Sequence, residues 1–233
     1  MECPISQQIL ASKDISMEKG KNNKERYKDV RLVLPDGSGA EGRRVLLHAC
    51  CAPCSAAIVE CMLRNGMKPT IFYSNSNISP LSEYDLRRSE LERHLRSLGV
   101  PLVEDVYDHG EWLHAVAGLE NEPERGRRCL RCFRFRLERA ASYAVRGGFG
   151  LFATTLTSSR WKDLGQIGMA GDAAAATAGD VTFWHCNWRK NGLQERRAEL
   201  LRLCGFYNQQ YCGCEFSRAA SERQCREREA IQQ

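Results

Sequence analysis

The 233-residue sequence has no apolar run long enough to cross a bilayer as a helix, and it therefore gives no indication of a membrane span. Its N-terminus also lacks the charged start, apolar middle and small-residue cleavage site of a secretory signal. We therefore expect a cytoplasmic protein with no membrane partner.

Glycine is missing from the place where a nucleotide-binding α/β protein would need it. Such proteins hold phosphate in a Ser/Gly-rich loop after the first strand, whereas here that place reads Ala49-Cys-Cys-Ala-Pro-Cys54. Without glycine the backbone cannot easily cradle phosphate. This disfavours one competing function, a tRNA-thiolating ATPase built on the same kind of fold.

Cysteine, by contrast, is abundant, with 12 residues in the chain. Because the cytoplasm keeps most thiols reduced, so many cysteines indicate metal binding or redox catalysis rather than structural disulfides. The formal net charge of +5 is a modest positive field, compatible with a nucleic-acid partner.

The first cysteine cluster follows a short apolar run that begins at Val45 and ends at Cys50 and Cys51, with Cys54 after Ala-Pro. The run is typical of a buried strand, and the residues from Ser55 onward have the apolar periodicity of a helix. Ligands of open α/β sheets bind beyond the carboxyl ends of the strands, which is where these thiols fall. His48 is interpreted as a core histidine held by hydrogen bonds, not as a ligand.

Strand and helix patterns alternate along the chain, which predicts a three-layer, mainly parallel, doubly wound α/β sheet of the Rossmann-like, PP-loop/HUP-like type. We expect its cysteine-rich metal site at the carboxyl ends of the strands. The five predicted strands begin near Val45, Thr70, Pro101, Gly150 and Val181.

The composition divides the chain into three parts. Residues 1–43 are polar and without a sustained period, and they are predicted to form a flexible extension. Residues 44–217 form the predicted catalytic domain. Residues 218–233 are rich in Arg and Glu, typical of a solvated helix or a disordered tail.

A second cysteine group, Cys129-x-x-Cys132, is predicted at the start of a helix, next to Arg127, Arg128 and Arg131, which favour thiolates. The pair alone fits a zinc half-site or a thioredoxin-type redox pair equally well. With Cys50 and Cys51 it supplies four thiolates, enough for an iron–sulfur cluster or a zinc site. Adjacent cysteines are expected to point apart, which favours a cluster of several irons.

A third group, Cys212-Gly-Cys214, has a single glycine between its thiols. Glycine lets the backbone bend enough for a tight, easily reduced disulfide, as in a pair that cycles between dithiol and disulfide. The alternatives are that both cysteines are further metal ligands or lie in a reduced turn.

Several motifs in order resemble one family, the epoxyqueuosine reductases of the QueH type. The resemblance covers roughly residues 44–217, and one departure is Asn75-Ser-Asn77 where the family tends to have Asn-Pro-Asn. The matching motifs are His-Ala-Cys-Cys-Ala-Pro-Cys from His48, Phe72-Tyr-Ser-Asn-Ser-Asn-Ile78, Arg128-Cys-Leu-Arg-Cys132, Thr154-Thr-Leu156 and Tyr207-Asn-Gln-Gln-Tyr-Cys-Gly-Cys-Glu-Phe-Ser217.

This resemblance implies an oxidoreductase that reduces epoxyqueuosine to queuosine in tRNA, the last step of queuosine synthesis, with electrons from an unidentified donor. It implies that Cys212 and Cys214 are the redox-active pair and that Cys54 is the candidate ligand of an additional iron. The implied ligands of a 4Fe-4S cluster are Cys50, Cys51, Cys129 and Cys132.

The resemblance also implies a tRNA partner whose target base is unstacked into a pocket. Basic residues beyond the predicted strand ends are candidates for phosphate contacts. They are Arg87, Arg88, Arg160, Lys162, Arg189 and Lys190.

The remaining alternative from another class is a non-catalytic zinc protein that binds nucleic acid through a rigid cysteine-built knuckle. It predicts zinc without labile sulfide, and no role for the Cys-Gly-Cys segment.

Overall fold

The computed structural model describes residues 23–231. A single parallel sheet with the order β3-β2-β1-β4-β5 organises this part of the chain, and the doubly wound fold is confirmed. The strands are β1 (Arg44–His48), β2 (Lys68–Tyr73), β3 (Leu102–Glu104), β4 (Leu151–Thr154) and β5 (Thr182–Phe183).

Helices cover both faces of the sheet. They are α1 (Ala52–Arg64), α2 (Leu81–Ser97), α3 (His109–Ala115), α4 (Arg127–Arg146), α5 (Leu164–Ala178), α6 (Leu193–Leu203) and α7 (Glu215–Ile231). None of these helices, within residues 23–231, combines the length and apolar character that crossing a membrane requires.

The core divides into two layers because side chains alternate along each strand. Val45 and Leu47 of β1 pack into the larger cluster with α1 and α6, whereas Leu46 packs into the second cluster with α4 and α5. Both faces of the central strands are therefore apolar, as expected for a parallel sheet covered by helices.

The strand order places a switch point between β1 and β4. The chain winds from β1 outward through β2 and β3, then returns to the other side of β1 to form β4 and β5. The connections therefore diverge at the carboxyl ends of β1 and β4 and leave a crevice there, the usual position of a ligand in this type of sheet.

Local features set three of the element boundaries. Pro80 directly precedes α2 and is its N-cap residue. α5 begins at Leu164, because Asp163 caps it by accepting from Gln166 N. β5 ends at Phe183, beyond which the side chain of Trp188 packs in the core.

Part of the predicted extension belongs to the fold. Residues 1–22 lie outside the described residues, but Tyr27, Val30 and Leu34 are buried in the larger core cluster. Their spacing of three and four residues is helical, but the charged residues on both sides of Tyr27 make the segment polar in composition. The Tyr27 ring lies 4.8 Å from the guanidinium carbon of Arg196, so this segment covers α6.

A buried ion pair joins the helix that follows β1 to α6. Arg196 donates to Glu60 through Nε at 2.7 Å and Nη2 at 3.1 Å, and both side chains are buried. This pair fixes α1, the helix that carries Cys54, against α6.

We expect Arg196→Met to lower the free energy of unfolding by about 3–5 kcal/mol, because it leaves the Glu60 carboxylate buried and unpaired. Urea denaturation followed by circular dichroism measures the change. The exposed Arg202 on the same helix provides a control, Arg202→Met, which should change stability by less than about 0.5 kcal/mol. A similar midpoint for both variants would contradict this role of the pair.

Candidate metal centre

Three thiols meet where β1 ends. The chain bends at Cys50 after the strand, Cys51 is the N-cap of α1, and Cys54 lies in the first turn of that helix. Pro53 suits this turn because its missing N–H would have no partner there. The Ser55 hydroxyl donates to Cys51 O at 2.7 Å and closes the turn.

The sulfur atoms of Cys50, Cys51 and Cys54 all lie within 4.8 Å of one another, and the three residues are buried. Cys50 Sγ and Cys51 Sγ are 3.7 Å apart. The expectation that adjacent cysteines point apart is therefore wrong, because the bend at Cys50 turns both thiols to the same side.

This spacing fits thiolates that share a metal. Metal–sulfur bonds of about 2.3 Å in tetrahedral geometry place two thiolates about 3.8 Å apart. Within residues 23–231 no other set of three or more Cys, His, Asp or Glu donors lies this close together. The Cys50/Cys51/Cys54 group is thus a candidate metal site at the switch point of the sheet.

The environment of the three thiols distinguishes them electrostatically. Hydrogen bonds from the thiols of Cys50 and Cys51 hold the pKa of Cys54 well below its ordinary value. The N-terminus of α1 favours that thiolate as well. Burial raises the pKa of Cys51. Gln209 Nε2 donates to Cys51 Sγ at 3.1 Å, so a residue of the chain's last loop covers the group.

His48 lies behind the thiols and is held as predicted. Its Nδ1 is 2.8 Å from Thr154 Oγ1 and its Nε2 is 3.1 Å from Ser74 O. Burial and the nearby Arg136 lower the pKa of His48 to about 3, so the ring is neutral. The histidine joins the ends of β1 and β4 and is not one of the grouped donors.

The second cysteine pair lies in the first two turns of α4. Cys129 and Cys132 are three positions apart, which places both on one face of the helix. Arg125 N donates to Cys129 Sγ at 3.3 Å. Cys132 is buried beside Trp112. Burial raises the pKa of both thiols.

Lys162 connects the cysteine groups electrostatically. Burial lowers the pKa of its ammonium group, but the thiolates of Cys212, Cys50 and Cys54 raise it, and the net shift is upward. The charge of Cys212 also contributes to raising the pKa values of Cys129 and Cys132. Thiols from three separate segments therefore influence one region at the carboxyl ends of the strands.

The third group, Cys212 to Cys214, is a tight turn docked on the end of β2. Gly213 has a φ of +138°, and an added Cβ would lie 2.9 Å from Ile78 Cγ1. Ser79 N donates to Gly213 O at 2.9 Å, and Cys212 N donates to Ser217 Oγ at 3.0 Å. Both cysteines carry free thiols, Cys212 exposed and Cys214 half-buried.

Arg87, a predicted phosphate contact, instead supports this turn. Its side chain is 1 % exposed and pairs with Glu83 at 2.7 Å. Nη1 donates to Cys212 O and Nη2 to Tyr211 O, both at 3.1 Å. A guanidinium engaged in this way is not available to RNA phosphates.

The other predicted cations lie nearer the surface. Arg88 pairs with Glu92 and Glu104 on the half-exposed side of α2. Arg189 is half-buried and donates through Nη2 to Ser159 O and Lys162 O. Arg160 and Lys190 are exposed.

Two residues that shape the site, Arg136 and Gln209, are absent from the sequence-based predictions. Arg136 is fully buried in α4 and donates to Asn75 Oδ1 and to Ser74 O, at the end of β2. Asn75 in turn donates to Ala49 O at 2.8 Å. An arginine in an amphipathic helix gives no signal of burial. Gln209, in contrast, lies within the motif from Tyr207 to Ser217 that carries the family resemblance, and this motif could have identified it as a site residue.

An all-parallel, doubly wound sheet with three buried thiols at its switch point defines an α/β protein with a candidate thiolate metal centre. The family model described as epoxyqueuosine reductase QueH matches residues 45–220. The chain belongs to this family.

Individual relatives agree with the family match. The chain is 44% identical over 187 residues to the epoxyqueuosine reductase QueH of Haemophilus influenzae, covering 80% of this chain and 75% of that protein. It is 42% identical over 197 residues to that of Histophilus somni (84% and 79%) and 43% over 188 residues to that of Acinetobacter baylyi (81% and 84%). These reductase names do not favour the alternative of a non-catalytic zinc protein.

Proposed function

We propose that this protein reduces epoxyqueuosine to queuosine in tRNA, the last step of queuosine synthesis, and that it acts in the cytoplasm. The observation that carries the proposal is the group of three buried thiols at the switch point of the sheet, in a chain of the QueH family. No other crevice in an open parallel sheet is so regularly used for ligands.

The reaction removes one oxygen from a cyclopentane ring. Two C–O bonds of the epoxide break, a C=C bond forms, and the oxygen leaves as water. This requires two electrons and two protons. The protein must therefore hold a two-electron donor near a group that polarises the oxygen.

The dithiol of Cys212 and Cys214 balances this reaction. Closing a disulfide between them releases two electrons and two protons, which equals what the epoxide takes up in forming alkene and water. An external electron donor then reduces the disulfide for the next turnover. Support comes from the exposure of Cys212 and from the fixed turn that holds both thiols.

The cysteines of the site are suited to hold iron. We assign Cys50, Cys51, Cys129 and Cys132 to a 4Fe-4S cluster and Cys54 to an additional iron. When bound, the cluster supplies single-electron transfer and the additional iron a Lewis acid. The proximity of the Cys50, Cys51 and Cys54 thiols supports metal binding at this point, and the first two turns of α4 present Cys129 and Cys132 on one face.

Lys162 and His48 contribute to charge balance in this proposal. The Lys162 ammonium offsets negative charge among the thiolates, whereas the neutral His48 adds none. A cation beside reduced thiolates stabilises their negative charge.

The tRNA partner requires cations on the surface around the crevice. Arg88, Arg160, Lys162, Arg189 and Lys190 remain candidates for this role, while Arg87 holds the Cys212 turn. Arg160 and Lys162 follow β4, Arg189 and Lys190 follow β5, and the formal charge of the chain is +5. A base taken from an anticodon loop would enter the crevice between them.

RNA binding should weaken steeply with salt, because protein cations displace counterions from the phosphates. We expect Lys190→Gln to reduce the slope of log affinity against log salt by about one. Arg96 lies in the last turn of α2, away from the carboxyl ends of the strands, so the control variant Arg96→Gln should leave the slope unchanged. Fluorescence anisotropy with a labelled anticodon stem-loop measures both. Salt-independent binding would contradict the polyanion partner.

The direct test is conversion of the nucleoside. Purified protein, kept anaerobic and supplied with a chemical reductant, is incubated with tRNA containing epoxyqueuosine, and the digested nucleosides are analysed by mass spectrometry. The proposal predicts loss of one oxygen from the modified nucleoside. Unchanged epoxyqueuosine with fully iron-loaded protein would refute it.

A further inference from the structure

One tryptophan stands apart from the others at the edge of the candidate metal centre. Trp161 is 67 % exposed, whereas Trp112, Trp184 and Trp188 are buried. It lies between Arg160 and Lys162, and Lys162 interacts with the thiolates of Cys212, Cys50 and Cys54. Single exposed apolar side chains are common on protein surfaces, so the case for a role rests on what surrounds this ring.

The segment that carries Trp161 is held firmly from two sides. Arg125 donates through Nε to Trp161 O at 3.0 Å and through Nη2 to Arg160 O at 3.3 Å. On the other side, Arg189 donates through Nη2 to Lys162 O at 2.6 Å. The ring is therefore presented to solvent by a braced backbone rather than by a free loop.

Arg125 also connects this segment to a candidate ligand. Its φ of +66° lies in the left-handed region that non-glycine residues rarely adopt. In this conformation Arg125 N donates to Cys129 Sγ at 3.3 Å, while Gln166 Nε2 donates to Arg125 O at 2.6 Å. The position of Trp161 is thus tied directly to the thiol of Cys129, and such strain is characteristic of functional sites.

The charge around Trp161 is positive. The Arg160 guanidinium carbon lies 5.2 Å from the centre of the indole ring. The side chains of Arg125, Lys162 and Arg189 extend from the same small region, and Asp163, which caps α5, is the nearest carboxylate in the sequence. An exposed aromatic ring surrounded by arginines complements single-stranded RNA, in which unstacked bases alternate with phosphates.

We propose that Trp161 is a stacking platform for a nucleobase that flanks the reacting nucleotide in a single-stranded RNA loop. Arg160, whose guanidinium carbon lies 5.2 Å from the centre of the ring, would contact a neighbouring phosphate, while Arg125 holds the backbone of the segment. This inference rests on the proposed function and names a contact of the same substrate. Because Arg125 contacts both Trp161 O and Cys129 Sγ, the stacked base would be next to the base that enters the crevice.

The test compares Trp161→Ala with Trp161→Phe in binding a labelled anticodon stem-loop. Losing one base–aromatic stack should weaken affinity about 5- to 100-fold in the alanine variant. The phenylalanine variant should bind within about threefold of the parent. Val33→Ala is the control, because Val33 is an apolar side chain that is 59 % exposed and lies far from the metal centre. Its neighbour Leu32 donates to Asn65, which follows the C-terminal end of α1, at the other end of the sheet.

A second readout uses the fluorescence of Trp161 itself. Trp161 is the exposed member of the four tryptophans. Acrylamide should therefore quench part of the fluorescence of the parent, and the part that is lost in Trp161→Phe reports on this ring. Adding the stem-loop should protect it. Protection that instead grows with protein concentration, without RNA, would identify a contact between copies and overturn the inference.

The outcomes separate this inference from the function on which it rests. If the parent binds and converts modified tRNA while Trp161→Ala binds equally well and the ring stays accessible to acrylamide, the stacking role is wrong and the reductase function stands. If the iron-loaded parent neither binds nor converts the tRNA, the reductase function is wrong and the stacking role fails with it.

Discussion

Replacing Cys51 by serine is expected to remove most of the bound metal and to lower turnover of epoxyqueuosine-containing tRNA by more than about 100-fold. Cys51 lies at the centre of the site, 3.7 Å from Cys50 Sγ and within hydrogen-bond distance of Gln209. A serine hydroxyl is a far weaker ligand for iron than a thiolate, and even residues that only orient a ligand change metal affinity or activity 10- to 100-fold.

The measurement is metal content and tRNA conversion on protein prepared without oxygen. Cys61→Ala is the matched control, because Cys61 is another buried thiol of α1 but is not part of the Cys50/Cys51/Cys54 group. It should retain its metal. Cys54→Ser adds a distinction, since loss of iron with unchanged labile sulfide would support the additional iron. A Cys51→Ser variant with the parent's metal content and turnover would contradict the site.

Replacing Cys212 by serine should leave the metal in place but lower turnover to a similar extent. The remaining thiol at Cys214 cannot close a disulfide, so the two electrons and two protons of the reduction are no longer available together. Because Cys212 is exposed and its docking contacts run through the backbone carbonyl and N–H, the substitution should not disturb the turn.

Conversion of modified tRNA and iron content are measured on the same samples. Cys225→Ser, an exposed thiol in α7, is the control and should behave like the parent. Gly213→Ala tests the placement of the turn, since its Cβ would lie 2.9 Å from Ile78 Cγ1 at a φ of +138°. It should lower turnover with both thiols present. Full activity of Cys212→Ser would rule out the dithiol.

The central strand and its cysteines are predictable from the sequence because their signals are local. A buried strand, a proline in the first turn of a helix and three thiols occupy ten consecutive residues, from Val45 to Cys54. The alternation of strands and helices then determined the type of sheet. The carboxyl end of β1 therefore followed directly as the position of a site.

Long-range contacts could not be predicted in the same way. Arg87 and Arg136 look like exposed cations of amphipathic helices, since arginine is seldom fully buried unless it is paired. In the structure each binds backbone or side-chain oxygens from a distant segment, Arg87 at residues 211–212 and Arg136 at 74–75. Only the fold brings these partners together, and an unaligned sequence carries no trace of the pairing.

The bend at Cys50 gave a similar error. Treating Cys50 and Cys51 as successive residues of an extended strand placed their side chains on opposite sides. The strand ends at His48, however, and the bend that follows brings the two sulfur atoms to 3.7 Å. A change of backbone direction over one residue is decided by packing of α1 on the sheet, which periodicity does not encode.

The most direct test of a redox metal centre is the amount of iron, acid-labile sulfide and zinc per chain in protein purified without oxygen. We predict about four irons with matching sulfide, and iron in excess of sulfide where the additional site is filled. Zinc without labile sulfide would contradict the assignment of the cysteines and with it the proposed reduction.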